Sequence, residues 1–568
     1  MSRNAEVAEQ LQEFADLLAA NDVAYKPRSY ERAAENILDH PVAIEELAAD
    51  GMDAVTAIEG VGDAIGSKVI EYIDTGEIAE LNELREELPV RMDELTAVEG
   101  VGPKTVGALY DALEITTIAE LEAAAEAGEI RNVSGFGAKT EENILENIPF
   151  AKEARSRELL GHGRPVADEL IAYLESHEVV DQAETAGSIR RWRPTIGDID
   201  VLVATEDPSA VANVFTEWDR VDQIIEAGEN KASVRARGIR VDVRLVASNE
   251  FGSALQYFTG SKDHNVRLRN RAIDMGYTMN EYGVFEAESD ERIAGDTEES
   301  MYAALDLPWI PPELRTDRGE VDAAQSGSLP ELVARDDIRG ELHAHTTWSD
   351  GNASIADLAA AAHDVGHEYL AICDHATGPG MVGGVGIEDT ELLEQQEEMQ
   401  CINDETEVHL LAGVEANIHA NGRISVADDV LAQLDIVVAS PHSDLDQDAA
   451  AATDRLLTAI EHPDVSIIGH PTGRLLNRRQ GLEPDIERIA EAAARHDTAL
   501  EVNANPNRLD LSGTMVRIAI DAGAAIAINT DAHSPTEFNN MRYGVHTARR
   551  GWADVADVLN ASAIDELT

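Results

Sequence analysis

The chain has 568 residues, which is too many for one hydrophobic core and predicts roughly two to four domains. Its hydrophobic fraction of 43% is ordinary for a globular protein and excludes wholesale disorder. No apolar run approaches a membrane span, and the first segment is too acidic for a signal peptide. Cys373 and Cys401 cannot form a disulfide framework, which is typical of a reducing interior and predicts a cytoplasmic protein.

The charge is strongly acidic, with 109 acidic residues against 44 basic ones and a formal net charge of −65. Such a field repels nucleic acid in dilute buffer. In molar salt the Debye length falls to about 3 Å, so acidic surfaces no longer repel one another. We therefore interpret the composition as that of a halophile, most simply a halophilic archaeon. Lysine is scarce and ends at Lys262, so we expect the remaining lysines to be enriched at working positions.

Residues 1–150 have the pattern of helices separated by short glycine turns, with a weak internal repeat. Glycine lets the backbone approach a phosphate, and amide groups at the next helix N-terminus bind an anion without side-chain charge. One copy alone would indicate a helix C-cap, but three copies favour phosphate binding. The repeat contains Gly60 and Gly62, then Gly100, Gly102 and Lys104, and finally Gly135, Gly137 and Lys139.

From about residue 185 to 248 the pattern becomes β-like and contains spaced acids. Asp198 and Asp200 are two residues apart, so on a strand they share a face and can hold a pair of divalent ions for phosphoryl transfer. Asp242 lies in another alternating strand. An isolated Asp-x-Asp is weak evidence, but Gly187-Ser188 before it and the third acid after it are specific for nucleotidyl transfer.

The last part of the chain alternates short apolar strands with alanine-rich helices after about residue 337. This rhythm predicts a parallel barrel or an open parallel sheet. The preceding stretch, from 307 to 329, is rich in proline and glycine and predicts an interdomain linker.

Most of the 17 histidines lie in this last part, and many follow a predicted strand. In a parallel barrel the C-terminal strand ends meet on one face, where such groups can hold two or three Mn²⁺, Zn²⁺ or Fe²⁺ ions. The predicted ligands are His343, His345, Asp350, His375, Glu415, His442, His470, Asp531 and His533. Other histidines lack such a context and are interpreted as structural: His363, His367, His409, His419, His462 and His496.

The motifs Gly187-Ser-Ile-Arg-Arg191, Gly197-Asp-Ile-Asp200, Val241-Asp-Val-Arg244 and Tyr257-Phe-Thr-Gly-Ser-Lys-Asp-His-Asn265 resemble, in order, those of family X DNA polymerases such as polymerase beta. The resemblance implies Mg²⁺ or Mn²⁺ on Asp198, Asp200 and Asp242, with Asp242 helping to activate the primer hydroxyl. It implies nucleotide binding by Gly187, Ser188, Arg191, Tyr257, Phe258, Gly260 and Asn265. It also places Lys231 near the template backbone and Arg269 at the templating pair, and makes the glycine repeats DNA-binding helix-hairpin-helix motifs.

In relatives of polymerase beta the N-terminal domain can also excise a 5′-deoxyribose phosphate through a Schiff-base lysine. Lys68 falls at that place, and Lys26 and Tyr30 match supporting positions. Ala64 and Glu31 stand where cations are usual, so a lysine that merely contacts phosphate is an equal alternative.

The histidine-rich part resembles the PHP (polymerase and histidinol phosphatase) domain, with all of its usual ligand positions filled. The resemblance implies a distorted (β/α)7 barrel and a metal-dependent phosphoesterase. Arg474 and Arg508 are candidates for a phosphate clamp. The glycine-rich stretch 378–386 is a candidate lid or an ordinary flexible loop.

Together these features predict a multidomain chain of α+β and α/β class with six segments. They are a helical DNA-binding domain with the first hairpin (1–85), a second helical region with two further hairpins (86–150), a nucleotidyltransferase palm with a mixed sheet (151–248), a nucleotide-selection subdomain (249–315), a linker (316–336) and the PHP barrel (337–568).

The function predicted from the sequence is gap-filling DNA synthesis in base-excision repair, with a 3′-5′ exonuclease or 3′-phosphodiesterase that also incises abasic sites. The partners are gapped or primed DNA and deoxynucleoside triphosphates, with no membrane, and the chain is expected to be a monomer. Alternatives are a fused histidinol-phosphatase-like enzyme, a catalytically silent metal-bound scaffold, and a template-independent terminal transferase.

The charge leads to a first testable prediction. Dialysis to low salt without divalent ions should unfold the chain, because a formal charge of −65 is then unscreened. Far-UV circular dichroism in molar KCl and in dilute buffer measures this, and restoring the salt should restore the signal. A spectrum unchanged at low salt would contradict the halophile interpretation.

Overall fold

The computed structural model describes residues 3–21, 23, 26–38, 44–58, 60–98, 100–155, 157–228, 230–378, 386–403 and 406–567. The chain divides into two compact units, Met1–Glu158 and Leu159–Thr568. The finer boundaries given above stay predictions.

The first unit is helical, as predicted, with an apolar core formed by residues such as Leu11, Phe14 and Ile37. Short glycine turns precede the helices that begin at Asp63, Pro103 and Ala138. Thr117 caps one helix with a reciprocal bond pair to Glu120. The helices are α1 (Arg3–Ala20), α2 (Lys26–Leu38), α3 (Ile44–Asp50), α4 (Met52–Val55), α5 (Asp63–Thr75), α6 (Ala79–Glu87), α7 (Met92–Leu95), α8 (Pro103–Leu113), α9 (Ile118–Glu126) and α10 (Ala138–Arg155).

The palm region of the second unit contains a five-stranded mixed sheet of order β2-β4-β7-β6-β5. Only β4 and β7 run parallel in it, and all other neighbours are antiparallel. The elements are β1 (Glu158–Leu159), α11 (Leu160–Glu175), β2 (Gln182–Thr185), α12 (Gly187–Arg190), β3 (Thr195–Ile196), β4 (Ile199–Ala204), α13 (Pro208–Thr216), β5 (Val221–Ala227), β6 (Lys231–Ala236) and β7 (Ile239–Val246).

The next region packs helices beside a three-stranded antiparallel sheet of order β10-β9-β8. Its elements are α14 (Phe251–Thr259), α15 (Lys262–Asp274), β8 (Tyr277–Asn280), β9 (Gly283–Glu286), β10 (Arg292–Ala294), α16 (Glu298–Ala303) and α17 (Glu320–Ser326). Helix α17 lies inside the segment 316–336 that we predicted to be a linker. Glu320 and Val321 are buried, and Val321 belongs to the apolar core of this region, so the segment is folded despite its glycines.

The last region is a parallel seven-stranded sheet in sequence order, which confirms the predicted barrel. The amide of His345 donates to Ala532 O (2.8 Å), so the first strand meets the end of the last. The elements are β11 (Gly340–Ala344), α18 (Ile355–Asp364), β12 (Tyr369–Ile372), α19 (Asp389–Asn403), β13 (His409–Asn417), α20 (Asp428–Leu431), β14 (Ile436–Ser440), α21 (Ala449–Ile460), β15 (Ile467–Ile468), α22 (Ile486–His496), β16 (Ala499–Asn503), α23 (Gly513–Asp521), β17 (Ile526–Asn529) and α24 (Met541–Arg550).

Strands buried on both faces need mostly apolar side chains, which explains the composition of the barrel strand Ile436–Ser440. The polar exceptions include His343, Glu415 and Glu501, which are fully buried on their strands. Among the described residues, none of the helices combines the length and the apolar character that a membrane span requires.

A buried ion cluster ties the palm to the region that follows it. Glu298, at the start of α16, is 5% exposed and receives two hydrogen bonds from Arg190 (2.8 Å each) and one from Arg315 (2.7 Å). Burial opposes the charge, but the Arg315 and Arg190 guanidinium groups hold the pKa of Glu298 at about 2.

Glu298→Gln should destabilise the fold by about 3–5 kcal/mol, because it leaves the buried Arg315 charge uncompensated. The neighbouring exposed Glu299→Gln is the matched control and should change stability by less than about 0.5 kcal/mol. Thermal unfolding in high salt measures both variants.

The pH dependence has a defined sign. Because the folded pKa of Glu298 is depressed, its contribution is present above the ordinary value of 4.5 and is lost as the pH falls towards about 2. The stability difference between wild type and Glu298→Gln should therefore shrink across that range, and a constant difference would contradict the assignment.

Candidate active sites

The three predicted acids of the palm meet at one end of two parallel strands. Asp200 on β4 lies opposite Asp242 on β7, and Asp198 immediately precedes β4. One carboxylate oxygen from each lies within 4.8 Å of the others. The structure thus brings together the set that the sequence predicted for divalent ions.

The electrostatics of this set indicate unbalanced negative charge. Burial, together with Asp198 and Asp242, raises the pKa of Asp200 to about 6. Burial acts in the same direction on Asp242, but the contacts with Lys231 and Arg240 lower the pKa of that carboxyl. Lys231 Nζ lies 2.7 Å from Asp242 Oδ2. The lysine predicted to lie near the template backbone therefore contacts a predicted metal ligand, and its role at the template stays a prediction.

Gly187 lets the short turn α12 lie directly against the acids. Its φ is +59°, and a Cβ there would lie 2.2 Å from Asp200 Oδ2. The amide of Ala186 donates to Asp200 O (2.8 Å), which fixes the turn to β4. Ser188 and Arg191, predicted to bind the triphosphate, are thus carried on a turn beside the acids.

The predicted nucleotide-binding residues of α14 and α15 form one connected group. Arg191 donates to the carbonyl of Thr259, and the carbonyl of Tyr257 accepts from Asn265 Nδ2 (2.8 Å). Gln256 donates to Asn265 Oδ1 (2.8 Å). Gly260 packs directly against Arg191, since a Cβ at this glycine would lie 3.1 Å from Arg191 Nη1.

Two contributors to this group were missed by the sequence analysis. The Arg244 guanidinium lies 4.1 Å above the ring of Phe258, and buried Gln256 fixes Asn265. Arg244 stands in the quoted strand motif, so its alternation with Asp242 was the available signal. Arg269 is exposed on α15, where a template could reach it.

Glu415 is the centre of the histidine site. It is fully buried at the C-terminal part of β13. His470 Nε2 lies 3.0 Å and His442 Nε2 3.2 Å from its Oε1, and His375 Nδ1 lies 2.6 Å from its Oε2. His343 Nε2 lies 3.5 Å from Oε1. His345 Nε2 lies 3.7 Å from Oε2, so one carboxylate faces five imidazole rings.

Asp350 and Asp531 complete the site. Asp531 Oδ1 lies 3.0 Å from His345 Nε2, while Asp350 lies 3.4 Å from both His375 Nε2 and His533 Nε2. Groups of ligand atoms close enough for one ion are His345 with Asp350, His375 and His533; His343 with His345 and Glu415; and His375 with Glu415 and His442. The structure thus brings together all the ligands predicted in this part of the chain.

The donor set fits metal ions. His343 Nε2 and His345 Nδ1 are buried and have no hydrogen-bond partner among the described residues, and His375 Nδ1 and Glu415 Oε2 lie 2.6 Å apart without the geometry of a hydrogen bond. Buried polar atoms are normally satisfied, so several orphaned nitrogens around one carboxylate need an occupant. Imidazole nitrogens and carboxylate oxygens suit Zn²⁺, Mn²⁺ or Fe²⁺.

A second set of buried residues orients these ligands and was missed. Glu501 Oε1 accepts from His343 Nδ1 (2.7 Å), and Glu501 Oε2 accepts from the His470 amide (2.6 Å). Asn417 Oδ1 accepts from His442 Nδ1 (2.7 Å). These bonds place the ring proton on Nδ1 and leave Nε2 for a metal. An acid inside the apolar strand Ala499–Asn503 was the available signal.

The two arginines of the predicted phosphate clamp have different surroundings. Arg508 Nε lies 3.8 Å from Asp531 Oδ2, beside the metal-ligand cluster. Arg474 donates to the carbonyls of Arg508 (2.9 Å) and Leu509, and burial lowers its pKa. Arg474 therefore holds the backbone that carries Arg508. Of the candidate lid, residues 379–385 lie outside the described residues.

The glycine repeats form three similar turns in the first unit. Gly60, Gly100 and Gly135 have φ of +77°, +84° and +93°. The second glycine of each turn precedes a helix and has open space where a Cβ would stand: Gly62, Gly102 and Gly137. Lys104 and Lys139 are exposed just after the second and third turns. Exposed amides at three helix N-termini are suited to a phosphate backbone.

Lys68 is engaged by an acid. Its Nζ lies 2.8 Å from Glu80 Oε2 and near the rings of Phe14 and Tyr30. Burial opposes the charge, but Glu80 raises the pKa of Lys68 above its ordinary value. A protonated amine cannot form a Schiff base, so this placement disfavours the lyase role.

Four segments of the chain match known domain families. Residues 254–316 match the family described as DNA polymerase beta thumb, and 341–505 match the PHP domain. Residues 2–78 match a helix-hairpin-helix domain, and 92–148 a SAM-like helix-hairpin-helix tandem.

Three similar proteins match different shares of the chain. The DNA polymerase/3′-5′ exonuclease PolX of Bacillus subtilis (strain 168) is 36% identical over 550 residues, which is 96% of this chain and 95% of the relative. A probable phosphatase of Caldanaerobacter subterraneus subsp. tengcongensis is 34% identical over 34% of this chain and 75% of its own length. One of Edwardsiella ictaluri is 30% identical over 39% of this chain and 89% of its own.

The acid triad and the histidine centre define a class of chain built for metal-dependent phosphoryl chemistry at two sites. The chain belongs to the family X DNA polymerases that carry a C-terminal PHP domain.

Glu501→Gln should weaken metal binding in the barrel by about 10- to 100-fold, because the His343 ring loses its charged acceptor. Metal content after dialysis, measured by elemental analysis, reports this loss directly. The exposed Glu491→Gln on α22 is the control and should keep wild-type metal content. Equal metal content in both variants would contradict the role given to Glu501.

Proposed function

We propose that this chain is a DNA polymerase that adds deoxynucleotides to a primer in short gaps, with a PHP domain that removes nucleotides from 3′ ends. The observation that carries the proposal is the presence, in one chain, of the compact Asp198–Asp200–Asp242 set and the Glu415-centred histidine cluster. The name of the full-length Bacillus subtilis relative, a DNA polymerase/3′-5′ exonuclease, supports the same pair of activities.

In the polymerase site Asp198, Asp200 and Asp242 would hold Mg²⁺ or Mn²⁺, which when bound activates the attacking hydroxyl and stabilises the leaving group. Asp242 would accept the proton of the primer 3′-hydroxyl. Ser188 and Arg191 would bind the triphosphate, since their turn abuts Asp200. Tyr257 and Phe258 would present their rings to the sugar and base of the incoming nucleotide.

In the barrel the histidines and acids would hold two or three Mn²⁺, Zn²⁺ or Fe²⁺ ions, which when bound supply a nucleophilic water and polarise the phosphate. Arg508 would orient the scissile phosphate, since its guanidinium lies beside Asp531. Arg474 would keep the Arg508 backbone in place through its two carbonyl bonds.

The remaining proposals concern DNA binding, the repair role, the source and the location of the protein. The three glycine turns would grip the DNA backbone through amides, which suits a chain with few cations working in high salt. A role in base-excision repair, incision at abasic sites, a halophilic source, a cytoplasmic location and a monomeric state all stay proposals. The lyase role is the least supported, because Lys68 is paired with Glu80.

A second candidate function applies to the barrel alone. Relatives that cover only this part of the chain are named probable phosphatases, so hydrolysis of a small phosphate monoester is the competing proposal. The hairpin turns favour the nuclease, because they would bring DNA to the same chain.

Two variants should separate the activities. Asp242→Ala should abolish primer extension on gapped DNA and leave 3′-end degradation intact, because Asp242 belongs to the palm set alone. The double variant His343→Ala/His345→Ala should abolish 3′-end degradation and leave primer extension intact, because it removes two predicted ligands from the barrel centre. A labelled primer in high KCl with Mg²⁺ or Mn²⁺ measures both activities in one assay.

The wild type supplies the decisive control. With Mn²⁺ it must shorten a labelled 3′ end and extend the same strand when deoxynucleotides are added. Hydrolysis of histidinol phosphate without any strand shortening would replace the nuclease by the phosphatase proposal. Extension by Asp242→Ala at the wild-type rate would refute the polymerase assignment.

A further inference from the structure

Helix α24 of the barrel packs both against its own sheet and against the part of the chain that precedes the barrel. Tyr543 is buried within the apolar core of the palm. One residue later, Gly544 lies so near the barrel that a Cβ would stand 2.6 Å from Ile528 Cγ2 on β17. The helix is therefore fixed between the two domains.

The C-terminal end of α24 holds the turn that follows α12. Arg550 Nη1 donates to the backbone carbonyl of Arg191 (2.7 Å). The next residue, Trp192, stacks on His546 with ring centroids 3.6 Å apart and an interplanar angle of 7°. The Arg164 guanidinium lies 4.7 Å from the centroid of the same indole. Both residues of the turn are thus held by side chains of the barrel.

The same end of the helix also holds the region that follows the palm. Glu313 is buried, and its Oε1 accepts from His546 Nδ1 (2.7 Å) and Arg549 Nε (2.6 Å). The ring of His546 therefore makes two contacts: its Nδ1 bonds Glu313, and its face stacks on Trp192. The Arg191 side chain, for its part, donates to the carbonyl of Thr259.

The geometry points to a nucleotide-binding site that is completed by the PHP domain: Arg550, seated on α24, is a positioning residue that fixes the Arg191 turn for the triphosphate. This inference rests on the proposed polymerase function. It extends that function, because it gives the barrel a part in nucleotide binding that is independent of its own metal-ligand cluster.

The positive charge of the arginines around Arg550 favours an anionic ligand. Burial and the nearby guanidinium groups of Arg193 and Arg191 lower the pKa of Arg550 to about 9. Like charges brought together in a partly buried place repel one another, and a bound polyphosphate offsets that repulsion.

Arg550→Gln in the full-length chain tests the inference. Steady-state primer extension with one deoxynucleoside triphosphate should show KM raised on the order of tenfold and kcat changed by less than about threefold, because the bond serves nucleotide binding. Arg550→Lys keeps a charged donor and should recover most of the loss. Arg517→Gln, on the neighbouring helix α23 and paired with Asp521, is the matched control and should keep the wild-type KM.

Two further measurements exclude a general loss of structure. The thermal transition and the Mn²⁺-dependent shortening of a labelled 3′ end should stay at wild-type values in Arg550→Gln. An unchanged KM, or a parallel fall of extension, nuclease activity and transition temperature, overturns the inference. A wild type that extends no primer would instead overturn the proposed function on which it rests.

Discussion

The balance of buried carboxylate charge is the constraint on which the rest of this structure depends. Glu415 lies fully buried with imidazole nitrogens on both of its oxygens, and several of those nitrogens have no hydrogen-bond partner among the described residues. Asp200, Asp198 and Asp242 crowd together at the other site. Burying such charges is expensive unless cations compensate them. Both centres therefore offer positions that suit divalent ions.

The protein supplies few cations of its own, and it places them at selected acids. Arg190 and Arg315 neutralise Glu298, and Lys231 neutralises Asp242 in part. Arginine predominates in these buried roles because its planar guanidinium keeps its charge and makes several fixed hydrogen bonds. The hairpin turns offer backbone amides instead, so binding DNA there requires little side-chain charge.

The sequence predicted the parts of the sites that follow from strand geometry. Acids two apart on a strand, and histidines just after apolar strands, must converge once the sheet forms, and Asp198, Asp200 and the Glu415 cluster do so. The predicted helical repeats and the barrel were confirmed for the same reason. Local periodicity fixes such elements without knowledge of distant contacts.

Residues that depend on tertiary contacts could not be predicted in this way. Glu501 orients His343 from 158 positions away, and Glu313 meets His546 from 233 positions away. Neither has a local pattern that marks its partner. The folded segment around α17 looked like a linker because its glycines are conspicuous, whereas the burial of Val321 depends on residues such as Leu268 and Tyr302. The bond from Arg474 to the Arg508 carbonyl likewise depends on a tertiary contact that no local pattern marks.

Helix α24 shows how the two centres share one framework. The chain leaves the ligands Asp531 and His533, forms the short 3-10 helix Pro535–Asn540, and enters α24, which ends at Arg550. One continuous segment thus joins a ligand of the barrel to the turn beside Asp200. Transmission of a signal requires an element with two alternative packings. A helix wedged against Ile528 on one side and buried in the palm core through Tyr543 has close packing on both. Helix α24 is therefore a rigid structural element, and its packing fixes the geometry of both sites when the chain folds.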